Sequence, residues 1–151
     1  MTLNPSRVLV WLTGLVLLLT AGLASAAKPD DSFAERKIVL QISDPNPFKQ
    51  TLVLNVASNL LKAYGQDQVA IEIVAFGPGL RLLFAENANA GRIKALAGSG
   101  VRFAACSNTI RKMTSLRDGE APNLNPNAVK VGAGVVRILE LMDQGYVLIK
   151  P

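Results

Sequence analysis

Three short segments, Lys37–Ser43 (KIVLQIS), Val69–Phe76 (VAIEIVAF) and Val101–Cys106 (VRFAAC), are apolar almost from end to end. A strand with one wet face alternates apolar and polar residues. A strand covered on both faces reads as an unbroken apolar run, as these do. Segments with helical spacing follow each of them, so strand and helix alternate along the chain. That order predicts an α/β fold: a compact single domain with a mostly parallel sheet of about five strands and helices on both faces.

Turn formers punctuate the pattern. Asp44-Pro45-Asn46-Pro47 closes the first strand. Gln50–Tyr64 then carries Val53, Val56, Ala57, Leu60 and Tyr64 at three- and four-residue spacing, an amphipathic helix stopped by Gly65. Gly77-Pro78-Gly79 ends the second strand, and Leu80–Ala85 and Ala90–Ala97 read as short helices. Asn108–Leu116 is a helix capped by Ser107 or Asn108. Asp118–Asn127 is a loop, and Val129–Val131 a short fourth strand. Gly134–Gln144 is a helix with Val135, Ile138, Leu139 and Met142 expected inward, and Tyr146–Ile149 is a last strand.

The start of the chain has a different character. Met1–Arg7 carries one positive charge, Val8–Leu23 is nearly all apolar, and Ala24-Ser25-Ala26 supplies small residues. This is the pattern of a secretory signal peptide, 1–26, cut after Ala26. The alternative is an uncleaved anchor, although the apolar run falls short of the ~20 residues a spanning helix needs. Residues 27–36 read as a flexible leader and 37–151 as the folded domain. The expected location is the periplasm, with no membrane association after cleavage.

Composition excludes several chemistries. The chain has no histidine and one cysteine. Ser-His-Asp and Cys-His catalysis are therefore excluded, as is a zinc site built from His and Cys. No metal and no cofactor is expected, since the glycine turn matches neither GxGxxG nor a Walker loop. The net charge of +5 is scattered, with few aromatics between the basic residues, which argues against nucleic-acid binding.

Cys106 ends the third strand and opens the next helix. Ligands of open parallel sheets sit outside the carboxyl ends of strands. Free amides and the helix dipole at that point stabilise a thiolate. Arg111, about one turn further on, adds to the positive field. The opposing reading is that Cys106 is a small buried hydrophobe, as free cysteines often are. With no second cysteine, any exchange involves another subunit, another protein or a small sulfur compound. Gly77 and Gly79 form a turn whose amides can face an anion, or a tight structural turn. Asp44 reads as a cap or turn residue, and would approach Cys106 only if the first and third strands were neighbours.

Taken together, KIVLQISD, LVLNVASNLL, EIVAFGPGLRLL, GVRFAACSNTIR and GAGVVRILELMDQGYVLIKP resemble the DsrE/DsrF-like family over Lys37–Pro151. The most specific pieces are VAFGPG, the Cys106-x-Asn108-Thr109 segment and the terminal QGY-x-x-I-K-P. The resemblance implies a flavodoxin-like arrangement, homotrimers or hexamers, and a cysteine near a subunit boundary. In the sulfur-relay members a cysteine accepts a persulfide sulfur and hands it on. Cys106 matches that position. Asn108 and Thr109 match the segment that presents donors to the sulfur, and Gly77 and Gly79 match the glycine turn. The expectation is a periplasmic sulfur carrier without independent turnover, working with a sulfur donor or acceptor protein. The alternative is a non-catalytic oligomeric module that binds a small anion or a protein partner, with the cysteine structural.

Overall fold

The computed structural model describes residues 34–151. The signal-peptide segment and all but the last three leader residues lie outside the described residues. Arg36, assigned to the leader by its polarity, opens the first strand.

Five strands make one sheet: β1 Arg36–Ile42, β2 Val69–Ala75, β3 Arg102–Cys106, β4 Ala128–Val131 and β5 Val147–Ile149. Their order is β4-β3-β2-β1-β5, and every neighbouring pair is parallel. The chain steps from β1 out to β4, then returns to place β5 on the far side of β1. As in the flavodoxin order, β1 has one strand on one side and three on the other. Here the last strand, rather than the second, takes the single flank.

The helices are α1 Pro47–Tyr64, α2 Ala90–Gly98, α3 Ser107–Ser115 and α4 Gly134–Asp143. One sheet face presents Ile38, Leu40, Ile42, Ile71, Ile73, Phe103 and Ala105 to α1, α2 and α3. The other presents Val39, Val74 and Ala104 to Ile138 and Leu141 of α4. β2 is buried along its whole length, which accounts for its unbroken apolar run.

Two starts differ from the sequence expectation by three residues. α1 begins three residues earlier than its spacing predicts, with Pro47 as the entry residue. A proline in the first turn lacks only an N–H that would be unpaired anyway. The Asn46 side chain accepts from Phe48 N at 2.9 Å, and so caps the helix. The segment expected as a helix at Leu80–Ala85 is a 3₁₀ segment at Gly77–Leu83. Leu80, Leu82 and Leu83 are all buried in the α1 face of the core, an arrangement one α-helical stripe does not give.

α4 is turned relative to the expectation. Ile138 faces inward as expected, but its companions are Gly134 and Leu141. Val135, Leu139 and Met142, expected inward, stand 58%, 56% and 45% exposed. Both sides of this helix are apolar, so spacing alone could not choose between them. The choice is made at Gly134, where a Cβ would lie 3.0 Å from Phe76 Cβ and 3.3 Å from Cys106 Cβ. Only a glycine brings the helix that close.

One charge lies within the α4 face of the sheet. Glu72, in the centre of β2, is 2% exposed. Arg137 of α4 grips both its oxygens, Nε to Oε1 at 2.7 Å and Nη2 to Oε2 at 2.8 Å. Arg102, beside Glu72 in the strand register, adds a longer contact at 3.6 Å. This bidentate pair ties α4 to the middle of the sheet.

Candidate functional site

The carboxyl end of β3 runs straight into α3, and Cys106 is the residue between them. It occupies the N-cap position itself, with extended backbone, and its side chain makes no capping bond. Ser107 and Asn108, expected as caps, are the first two residues of the helix. The thiol is therefore set against the open amides of the first turn. Because Cys106 alternates with Phe103 and Ala105, its side chain points to the α4 face, where Gly134 meets it.

Cys106 is buried, at 4% exposure. Its surroundings are nevertheless polar. Gly134 N donates to Sγ at 3.2 Å, and Sγ lies 3.9 Å from the Gly132 carbonyl. The Thr109 hydroxyl also donates to the sulfur. That hydroxyl accepts in turn from Gly77 N at 2.9 Å, so a chain of donors runs from the glycine turn through Thr109 to Sγ. Each bond polarises the next toward the sulfur. Burial alone pushes the thiol up. The Thr109 hydroxyl and the amides of Gly134, Thr109 and Asn108 outweigh it, and hold the thiol below the ordinary cysteine range.

The other candidates divide into two groups. Thr109 meets the sulfur and Gly77 backs it through the Thr109 hydroxyl, as described, and the backbone of Asn108 faces the sulfur. The Asn108 amide also donates to the Gly132 carbonyl at 3.3 Å, tying α3 to the Gly132–Gly134 turn. The Asn108 side chain is exposed and accepts from the Arg111 guanidinium, so these two side chains form a surface pair. Gly79 serves β1: its amide donates to the Ser43 carbonyl at 3.1 Å and its Cα packs on the end of that strand. β2 lies between β1 and β3, which keeps Asp44 from the thiol. Asp44 accepts from Asn46 N at 2.9 Å and pairs with Lys49 at 3.3 Å, a turn role.

The sequence reading missed Gly132 and Gly134. Both lie in GAGVV, 26 and 28 residues from the cysteine in an ordinary-looking helix start. The available signal was a pair of glycines directly after a strand, the same signal that drew attention to Gly77 and Gly79. Among the described residues no cluster of His, Cys, Asp and Glu could hold a metal ion. No helix of the described residues is long and apolar enough to cross a membrane.

No protein-family profile matches the chain, and no curated protein does. Among solved structures, the chain is similar to a protein of unknown function, MTH1491, from Methanobacterium thermoautotrophicum. The TM-score is 0.68 at 28% sequence identity, over 77% of this chain and 99% of that one. The α/β layer fold is thus shared with a whole solved protein.

Proposed function

We propose that this chain is a sulfur-handling protein of the DsrE/DsrF-like kind, with Cys106 carrying a persulfide. The observation that carries the reading is the polar setting of Sγ: Gly134 N, the Thr109 hydroxyl backed by Gly77 N, and the first amides of α3, which face it without a capping bond. They favour a thiolate, and the thiolate is the nucleophilic form. In the proposed step the Cys106 thiolate attacks the outer sulfur of a donor hydropersulfide. A bond forms between Sγ and that sulfur, the donor's own S–S bond breaks, and the donor leaves as a thiolate with the bonding electron pair. The proton stays with the transferred sulfur, so no oxidant is needed. The donor enters by displacement of the Gly132–Gly134 turn, which otherwise covers the sulfur.

The site of action proposed from the N-terminal sequence is the periplasm, and the proposed assembly is a homotrimer or homohexamer. Support for the assembly comes from α4, the one helix among the described residues that covers its sheet face. Its outward side, Val135, Val136, Leu139 and Met142, is apolar and exposed, a surface suited to another copy. A second reading, a binding module in which Cys106 is structural, is favoured by one observation, the 4% exposure of the thiol.

Native mass spectrometry tests these proposals together. After exposure to a sulfane-sulfur donor, the protein is expected as a trimer or hexamer with one added sulfur per subunit. Cys106→Ser is expected to keep the assembly and gain no sulfur. Equal sulfur gain by that variant, or none by the wild type, contradicts the carrier. A monomer contradicts the assembly.

A further inference from the structure

Thr109 and Gly77, whose hydrogen bond backs the thiol, also line a groove whose wall does not include Cys106. It encloses about 370 Å³, within the size range of small-molecule sites, and its other walls include Pro78, Met113, Leu116 and Lys112. A second depression of about 240 Å³ shares Met113 and Leu116 with it, and adds Arg81, Phe84 and Arg117. The two make one trough with an apolar floor. Leu116 is 71% exposed there, although α3, which it ends, is otherwise polar on its outer side.

The charge around this floor has one sign. Lys112, Arg81 and Arg117 line the trough, and no carboxylate does. Arg117 lies over the Phe84 ring at 5.7 Å. The Lys112 ammonium and the Arg81 guanidinium have no ion pair among the described residues. We propose that the trough binds a small organic anion with an apolar body, of the medium-chain carboxylate class. The body covers Met113 and Leu116, and the carboxylate meets Lys112. An inorganic anion would leave the floor wet, and a neutral chain would leave the cations unmatched. Cys106 takes no part, so the site stands whether or not the thiol carries sulfur.

Titration calorimetry with octanoate tests it. The protein is expected to bind one octanoate per chain. Lys112→Glu and Leu116→Asp are each expected to weaken binding about tenfold or more, the scale of losing one charged contact or the apolar floor. Octanol and inorganic phosphate are expected to bind far more weakly. Cys106→Ser is expected to bind as the wild type does, which separates this result from the sulfur chemistry. Both positions are exposed, and unchanged melting of each variant confirms its fold. Should Leu116→Asp fail to fold, Lys112→Glu decides alone. The proposal is overturned if octanoate does not bind at millimolar concentration. It is equally overturned if the folded variants bind as well as the wild type, or if octanol or phosphate matches octanoate.

Discussion

Glu72→Ala is expected to lower stability by about 3 kcal/mol, the lower end of the range for breaking a buried ion pair by removing one partner. The loss would be read as a shift in the denaturant midpoint. The carboxylate lies at the centre of β2, between the guanidinium groups of Arg137 and Arg102. Hydrogen bonding to Glu72 holds the Arg137 guanidinium further up than usual, so that group stays charged at any working pH. Without the carboxylate, two cations face one another across a partly buried gap, and α4 loses its attachment to the sheet. The pair as a whole is a different matter, because burying both charges costs desolvation that their attraction only offsets. The double variant Glu72→Leu with Arg137→Leu is therefore expected to recover most of the loss. A Glu72→Ala variant as stable as the wild type would mean that the pair does not hold α4.

Gly79→Ala is expected to cost about 3 kcal/mol or more, at or above the upper end for overpacking. An added Cβ would sit 2.5 Å from the Ile42 carbonyl oxygen and 2.7 Å from Ser43 Cα. These are backbone atoms at the end of β1, and no rotamer change moves them aside. The change would separate the 3₁₀ segment from the strand and open the core around Leu80, Leu82 and Leu83. Gly91→Ala is the control, since a Cβ there meets nothing within 4 Å. It lies in α2, where alanine is the better helix former, so no loss is expected. Thermal melts of the two variants side by side check the contrast.

The strands were legible because burial on both faces leaves a signal that needs no partner: β1, β2 and β3 appear in the sequence within a residue of their ends. Features set by long-range approach were not legible. Val135, Leu139 and Met142 have the spacing of a core stripe, yet the contact of Gly134 with Phe76 and Cys106 turns them outward. A glycine carries no weight in a hydrophobic pattern, although here it fixes the rotation of a helix. The start of α1 was not legible either, because the sequence does not say which side of a helix boundary Pro47 occupies. At the site, the cysteine's place at a strand end was visible. Its two main outside donors were not, since Gly77 reaches the sulfur only through Thr109 and Gly134 arrives from β4's far end.

The depressed thiol has a consequence for stability. A group whose folded pKa lies below its unfolded one stabilises the fold above that window, and loses the contribution as pH falls through the folded pKa. The advantage of the wild type over Cys106→Ser is thus expected to grow as pH rises from the folded toward the unfolded thiol pKa. Denaturation at a series of pH values reads it, and a constant difference would mean that folding does not lower the thiol pKa.

Polar donors beneath a buried surface hold the Cys106 thiol below the ordinary cysteine range, and the direct measurement is a spectrophotometric titration of the native thiol, which is the chain's single cysteine. The expected midpoint lies below that of an ordinary cysteine, and moves up in Thr109→Val, which removes the hydroxyl and leaves Gly77 N unpaired. A native midpoint at or above the ordinary value, unmoved by Thr109→Val, would contradict the account.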